Sequence, residues 1–278
     1  MHGTQSSDDT TIAYESLGDG PALVLVSGAS TSRRVHAELA DLLSRDFTVV
    51  NYDRRGRGGS GDTLPYAVER EIEDLAAVIE VAGGSAAVFG NSSGAILALR
   101  AASAGLPITR LALWDPPFML DRDAALQQAA YVARLTDLLD SGRPGDAMAW
   151  FMVSVGVPEH AIDGMRNSPE WAAMEDIAPT LLYDAAVMGD STLSAGLADS
   201  VACPTLVLTG ANGGPWADAA AHALVAKMPD ARHQVLADQT HAVAWEILAG
   251  ALLDFFAPSD QPALGVTTAT ARAARQLP

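Results

Sequence analysis

Short apolar runs alternate with longer segments of helical periodicity along most of the chain. Each run is four to six residues long, almost wholly apolar and bounded by turn residues. That pattern is typical of a strand covered on both faces. The predicted strands are ALVLV (22–26), FTVVNY (47–52), AAVF (86–89), LALW (111–114), TLVL (205–208) and, more weakly, HQVL (233–236).

The segments between these runs predict helices. The segment 68–82 carries Ile72, Leu75 and Ile79 on one face and acids on the other, and the segment 93–105 is apolar almost throughout. Further helices are predicted over 216–228 and 242–256. Strands that alternate with helices imply an α/β fold with a mostly parallel central sheet and right-handed crossovers.

The alternation stops over residues 115–194, which contain no convincing strand and several helical patterns. We expect an all-helical cap over the carboxyl edge of the sheet, where open α/β folds bind ligands. The core then comprises 1–114 and 195–257, and 258–278 is predicted to be a mostly disordered tail. Methionine adapts its shape, so the methionines of the cap could form a pliable pocket wall or plain helix packing. They are Met119, Met148, Met152, Met165, Met174 and Met188.

Composition excludes several classes of function. The chain has 278 residues, 49% of them hydrophobic, and a formal net charge of −17 with Lys227 as its only lysine. Nucleic-acid binding needs clustered basic residues, so it is not expected. The acidic field also favours a neutral ligand over an anionic one. A single cysteine, no signal peptide and no apolar stretch of about 18 residues predict a cytoplasmic protein without a membrane partner.

The sequence VFGNSSG (88–94) places two serines between glycines, after a predicted strand and before a predicted helix. It is a simple turn or a nucleophile elbow, Gly-x-Ser-x-Gly, and the strand and helix favour the elbow. Ser92 then stands on a strained turn above the sheet, facing the amide groups of a helix amino terminus. The backbone N–H of Ser93 would form half of an oxyanion hole.

In these features the sequence resembles the α/β-hydrolase superfamily over nearly its whole length. LVLVSGAS (23–30) is similar to the loop that supplies the second oxyanion donor, which would be the N–H of Ala29. NYDRRGRGGSGD (51–62) is similar to the family's glycine-rich turn, whose role is structural, so the resemblance implies that Asp53 and Arg54 form a buried support pair. DQTHAV (238–243) is similar to the loop that bears the catalytic histidine.

The resemblance makes His241 the general base, since a serine hydroxyl needs an imidazole to take its proton. The other histidines are expected in the core or on the surface, although His36 lies near the oxyanion loop and could touch substrate. The acid that orients the imidazole is missing from its usual place, because Asn212 and Gly213 stand there.

Three acids could replace the missing one. Asp115 ends the strand LALW, beside the usual location, and the prolines that follow would stiffen its placement. Asp218 lies one turn into the next helix, and Asp238 lies three residues before His241. Asp115 is the favoured candidate, and the absence of any acid would indicate a weak or non-hydrolytic catalyst.

The sequence predicts a serine hydrolase that acts on a small, neutral, fairly apolar ester, lactone or C–C-linked ketone. The alternative is a non-hydrolytic catalyst of the same fold, such as a lyase, a cofactor-free oxygenase or a biosynthetic cyclase; a binding protein with a relic pocket is less favoured. No cofactor is expected, and no metal, because the sequence shows no cluster of ligands at metal-binding spacing. Predicted substrate contacts are Trp216, Trp114, Phe118, Met152 and His36.

Overall fold

In the computed structural model, residues 1–194 and 196–257 are described, and the predicted tail 258–278 lies outside them. An eight-stranded sheet runs through the core in the order β1-β2-β4-β3-β5-β6-β7-β8. From β4 across the sheet to β8 all neighbours are parallel, whereas β1 and β2 are antiparallel additions at one edge. The strands are β1 His2–Gln5, β2 Thr11–Leu17, β3 Ala22–Val26, β4 Thr48–Tyr52, β5 Ala86–Asn91, β6 Ile108–Trp114, β7 Thr205–Gly210 and β8 Ala231–Leu236.

All six predicted strands are present, and the first two strands are additional to the prediction. β1 and β2 form an edge hairpin in which only Ile12 and Ala13 are buried, while the rest of both strands is partly or fully exposed. An edge strand with so few apolar positions lacks the continuous apolar run by which a buried parallel strand is recognised.

Helices cover both faces of the sheet, as expected for a parallel α/β fold. Helices α2, α3 and α9 pack on one face, around Val88 and Leu111. Helices α1 and α10 pack on the other, around Phe89 and Leu208. The helices are α1 Ala37–Leu43, α2 Val68–Val81, α3 Ser93–Ser103, α4 Ala124–Asp140, α5 Pro144–Ser154, α6 Glu159–Arg166, α7 Trp171–Ile177, α8 Leu181–Met188, α9 Pro215–Val225 and α10 Trp245–Phe256.

The chain between β6 and β7 forms helices α4 to α8, which we call the helical insertion (residues 124–188). The insertion has a small core of its own, centred on Leu135, Met148 and Trp171. Ala29 of the loop after β3 packs against this core, and α8 packs on α3. The insertion therefore contacts both parts of the chain that the sequence assigns to the oxyanion hole, the loop at Ala29 and the helix α3 that begins at Ser93.

Across residues 1–194 and 196–257, every helix is too short or too polar to cross a membrane.

Candidate active site

Ser92 stands at the strained turn between β5 and α3. Its backbone has φ 55° and ψ −122°, a region that non-glycine residues rarely adopt and that is found at functional sites. The flanking glycines are required by close packing. A Cβ on Gly90 would lie 2.5 Å from the carbonyl oxygen of Gly94, and one on Gly94 would lie 2.5 Å from the carbonyl oxygens of Val26 and Ser27. This is the local structure that Gly-x-Ser-x-Gly predicts.

His241 pairs with Asp115 across the ends of two segments far apart in sequence. Nδ1 of the imidazole lies 2.9 Å from Oδ2 of the carboxylate. The Asp115 side chain is fully buried, whereas that of His241 is 46% exposed. Asp115 has φ 43°, and its backbone N–H donates to the Leu208 carbonyl at 2.9 Å. A buried carboxylate on Nδ1 selects the tautomer whose Nε2 is free to accept a proton.

Of the three candidate acids, only Asp115 contacts His241 in the described residues. A Cβ placed on Gly213 would lie 3.7 Å from Oδ2 of Asp115. The Asp115 carboxylate therefore lies close to the position after β7 where family members usually carry the acid that orients the histidine. Asp218 pairs instead with His222 and His233. Asp238 is exposed and adopts φ 59° in the loop before His241.

Trp114 connects the serine to the histidine from within the core. Its carbonyl accepts a hydrogen bond from the Ser92 N–H at 2.9 Å, and its indole Nε1 donates to the His241 carbonyl at 3.1 Å. The side chain is completely buried. The prediction that Trp114 contacts substrate is therefore wrong, because its ring supports the histidine loop from below.

The two predicted oxyanion donors lie on loops that approach each other closely. A Cβ on Gly28, the residue before Ala29, would lie 3.2 Å from Cβ of Ser92. In the part of the chain that the structure describes, neither the Ala29 N–H nor the Ser93 N–H donates to another group. Unpaired amide donors beside a serine are what stabilises a developing oxyanion.

Beneath these loops lies a buried charge cluster of Arg54, Arg57, Glu71 and Asp184. Arg54 forms a bidentate salt bridge with Glu71, in which Nε donates to Oε2 at 2.6 Å and Nη2 donates to Oε1 at 2.7 Å. Asp184 of α8 accepts from Arg54 at 2.7 Å, from Arg57 at 2.8 Å and from the Ser93 hydroxyl at 2.7 Å. Burial acts to raise the pKa of Asp184, but Arg57 and Arg54 outweigh it, and that pKa lies below its usual value.

Arg57 and Asp184 are not among the residues that the sequence predicts at the site. An acid inside the apolar stretch LLYDAAVM was the available signal, since a carboxylate on a buried helix face needs a cationic partner. The predicted pair of Asp53 with Arg54 is wrong as a pair. Both side chains are buried, but Asp53 pairs with Arg33, whose backbone N–H also donates to it at 2.7 Å.

Two other predicted substrate contacts are packed inside the protein. His36 is fully buried between Phe89 and Trp245, with ring centroids 5.7 and 5.6 Å apart. Phe118 is 1% exposed in the sheet core. These two predictions are corrected, because a covered side chain cannot touch a ligand without rearrangement. Met152 lies in the core of the helical insertion, against which Ala29 packs, and its contact with substrate stays a prediction.

Trp216 remains a candidate for substrate contact. Its half-buried ring lies at the start of α9, with its centroid 6.3 Å from that of His241. It is therefore close enough to shape the site beside the imidazole.

The structure also brings Asp218, His222 and His233 together, with one potential ligand atom from each within 4.8 Å of the others. The described residues therefore contain a group of potential metal ligands that the spacing in the sequence does not indicate. The sequence hides it because His233 comes from β8, whereas the other two come from α9.

The model of the alpha/beta hydrolase family matches residues 23–248 of this sequence, which include the elbow, the insertion and the histidine loop. The chain belongs to the alpha/beta hydrolase family. A crystal structure of a family member from Sphaerobacter thermophilus is 49% identical, covers 92% of this chain and 100% of its own, and superposes with a TM-score of 0.84.

Two further matches have more specific names. The N-formylmaleamate deformylase of Pseudomonas putida is 34% identical over 144 residues, which are 48% of this chain and 52% of that protein. The chain thus spans about half the length of this curated relative. The enol-lactonase of Burkholderia xenovorans is 20% identical over 91% of this chain and 99% of its own, with a TM-score of 0.63, and this likeness shows the fold alone.

Proposed function

We propose that this family member is a serine hydrolase that acts on a small, neutral, fairly apolar ester, lactone or C–C-linked ketone. The observation that carries the proposal is the 2.9 Å contact between His241 Nδ1 and Asp115 Oδ2, at a site where Ser92 occupies a strained elbow. Trp114 links the two residues, because its carbonyl accepts from the Ser92 N–H and its indole donates to the His241 carbonyl. A serine on an elbow, together with an imidazole that a carboxylate orients, is the arrangement that nucleophilic catalysis requires.

The residues suggest a reaction in two halves. Ser92 Oγ attacks the substrate carbonyl carbon while its proton passes to Nε2 of His241, and the Ala29 and Ser93 N–H groups bind the oxyanion. The tetrahedral intermediate then collapses, and the leaving group departs with the proton from His241. Water, deprotonated by the same imidazole, attacks the acyl-enzyme and releases the acid and free Ser92.

The proposed substrate class rests on charge, on the name of one relative and on the position of Trp216. The net charge of −17 disfavours anionic substrates at a distance. The deformylase among the relatives is named for the removal of a formyl group, which is in keeping with attack at a carbonyl carbon. Trp216 beside His241 offers an apolar surface for the substrate.

A non-hydrolytic catalyst would be favoured if no acid oriented His241. Because Asp115 contacts His241, hydrolysis is the function that the site supports better.

A fluorophosphonate probe tests the proposal. We expect the label on Ser92 by mass spectrometry, turnover of short p-nitrophenyl esters, and loss of both in Ser92→Ala. Asp115→Asn should retain the fold and lose most of the turnover. A folded wild-type protein with neither label nor turnover would contradict the hydrolase proposal and favour a lyase-like or binding role.

A further inference from the structure

The orientation of the Gly28 carbonyl group determines the orientation of one oxyanion donor, the Ala29 N–H. The Gly28 C=O and the Ala29 N–H belong to the same peptide unit, which is planar, so in the trans form they point in opposite directions. Whatever fixes the carbonyl therefore also aims the N–H. Arg57 Nη1 donates to this carbonyl at 2.7 Å, and the Thr31 hydroxyl donates to it at 3.0 Å.

Arg57 is itself held by the helical insertion. Its Nη2 donates to Oδ2 of Asp184 at 2.8 Å, and both side chains are buried. Oδ1 of the same carboxylate accepts from the hydroxyl of Ser93, the residue that carries the other oxyanion amide. One carboxylate from α8 thus contacts Ser93 directly and is linked to the Gly28 carbonyl through Arg57.

We propose that Arg57, fixed by Asp184, is a positioning residue that aims and polarises the Ala29 N–H of the oxyanion hole. A cation on the carbonyl draws electron density across the amide, which makes its N–H a stronger donor. Since Asp184 comes from the insertion, the hole is complete only when α8 is docked on α3. This inference rests on the proposed hydrolase function.

The substitution Arg57→Lys provides the sharpest test. It keeps the positive charge, but an ammonium group lacks the two fixed donors with which the guanidinium binds the Gly28 carbonyl and the Asp184 carboxylate. We expect Arg57→Lys to lower kcat by about 10- to 100-fold, less than complete removal of an oxyanion donor, with KM changed little. Labelling of Ser92 by the fluorophosphonate should slow by a similar factor.

Arg55 supplies the matched control. It is equally buried on the same turn, but it pairs with Asp74 and Asp8 and contacts neither oxyanion loop. Arg55→Lys should alter thermal stability while leaving kcat close to that of the wild type. A fall in kcat of the same size in both variants would show a general structural role and overturn the proposal.

Thr31→Val keeps the test valid if Arg57→Lys does not fold. Thr31 is only half-buried, and its hydroxyl is the second donor to the Gly28 carbonyl. We expect a smaller loss of kcat in the same direction and an unchanged KM. Full kcat in a folded Arg57→Lys, or in Thr31→Val where Arg57→Lys does not fold, would overturn the inference, whereas an inactive, unlabelled wild type would overturn the hydrolase proposal instead.

A second, independent observation concerns the cluster of Asp218, His222 and His233. Nδ1 of His222 lies 3.3 Å from Oδ2 of Asp218, and Nδ1 of His233 lies 3.9 Å from its Oδ1. Ligand atoms bound to one tetrahedral zinc at 2.0–2.1 Å are about 3.4 Å apart, and one atom from each group already lies within 4.8 Å of the others. Rotation of the exposed Asp218 and His222 side chains would close the remaining distance, with the metal replacing the present 2.9 Å contact of His222 Nδ1 with the Asp218 backbone carbonyl. The imidazole rings stand nearly perpendicular, with centroids 4.9 Å apart.

A second layer orients one of the imidazoles. Nε2 of His233 lies 2.8 Å from the Thr209 hydroxyl, which can accept a hydrogen bond from the Nε2–H and leave the Nδ1 lone pair facing Asp218. Metal-binding histidines are held in this way by a partner on their other nitrogen. We infer that Asp218, His222 and His233 bind a divalent transition-metal ion such as Zn²⁺, joining α9 to β8 beside the catalytic loop.

Calorimetric titration of the metal-free full chain with Zn²⁺ tests this site without any assay of activity. We expect one ion per chain, affinity lost in His222→Ala and His233→Ala, and affinity lowered by roughly 10- to 100-fold in Thr209→Val. His160→Ala, which removes an exposed histidine of the insertion, is the control and should bind as the wild type does. No binding by the wild type, or equal loss in the control, would overturn the assignment.

Discussion

A Cβ on Gly213 would lie 3.7 Å from Oδ2 of Asp115, so the loop that follows β7 and the acid that ends β6 share one small region of space. β6 and β7 are parallel neighbours, and Trp114 pairs with Leu208 at their carboxyl ends. An acid can therefore reach the same imidazole from either strand. In this chain the acid comes from β6, and the usual place is left to a glycine.

A carboxylate introduced at position 213 should restore part of the activity that is lost when Asp115 is replaced. Asp115→Asn keeps the shape of the side chain but no longer favours the productive tautomer of His241, so we expect kcat to fall by about 10⁴-fold. Adding Gly213→Asp in the same chain should recover part of that loss. Ester turnover by the two variants, compared at matched protein concentration, measures the effect.

Asp218→Asn serves as the control for that experiment. Its carboxylate faces His222 and His233, and it makes no contact with His241 in the described residues. We expect its kcat to stay near the wild-type value. Full activity in Asp115→Asn, or a large loss in Asp218→Asn, would contradict the assignment of the acid.

The packing at Gly94 predicts an effect at the oxyanion loop. A Cβ there would lie 2.5 Å from the carbonyl oxygens of both Val26 and Ser27, which are backbone atoms and cannot rotate away. Gly94→Ala should push the loop outward, and a displacement near 1 Å costs about 10²-fold in rate. Steady-state kinetics with a p-nitrophenyl ester measures it.

Gly250→Ala is the counterpart in α10, where an added Cβ would meet nothing within 4 Å. It should raise the free energy of unfolding by about 0.5–1 kcal/mol, because alanine loses less entropy in a helix, and leave activity unchanged. Similar activity in the two variants would mean that the loop tolerates the added methyl group.

Sequence patterns predicted the parallel part of the sheet and the elbow because both are local. A buried parallel strand is a continuous apolar run, and Gly90 and Gly94 stand at fixed distances from Ser92. The edge hairpin of β1 and β2 escaped prediction, since only Ile12 and Ala13 are buried there. Its place comes from pairing with β4, which no local pattern records.

The errors at the site share one physical cause. Trp114, Phe118 and His36 lie near strand ends or the oxyanion loop in sequence, but the direction of each side chain depends on what packs around it, and all three point into the core. Likewise, Arg57 and Asp184 are 127 positions apart, and only the docking of α8 brings them together. Asp115 could be inferred because neighbouring parallel strands end at one edge.

We expect the hydrogen bond from the Trp114 indole to the His241 carbonyl to stabilise the histidine loop. Trp114→Phe keeps most of the ring volume but removes the donor to the His241 carbonyl. We expect a loss of about 1 kcal/mol in the free energy of unfolding and a fall of about 10-fold in kcat with little change in KM. Urea denaturation and ester kinetics measure the two effects.

Trp171→Phe removes a comparable bond elsewhere. Its indole donates to Glu175 at 3.0 Å within the helical insertion. It should lose comparable stability without the loss of kcat. Equal kcat in the two tryptophan variants would show that the indole of Trp114 contributes packing alone.

The buried imidazole of His36 should make the free energy of unfolding depend on pH. Burial lowers the pKa of this imidazole from 6.5 to about 4, and neither ring nitrogen has a hydrogen-bond partner in the described residues. Between these pH values the unfolded chain binds a proton that the folded chain does not. The contribution is therefore fully present above pH 6.5 and is lost as the pH falls towards 4, by roughly 2 kcal/mol at pH 5.

Replacing His36 with phenylalanine isolates this contribution, since any cost of packing is the same at both pH values. We expect the free energy of unfolding, measured in urea, to fall by about 2 kcal/mol less between pH 7.5 and pH 5 in His36→Phe than in the wild type. The same substitution at the exposed His160 should leave the wild-type pH dependence in place. Parallel pH profiles for the wild type and His36→Phe would show that the buried imidazole gains a proton without unfolding, and that a hydrogen-bond acceptor reaches it between Phe89 and Trp245.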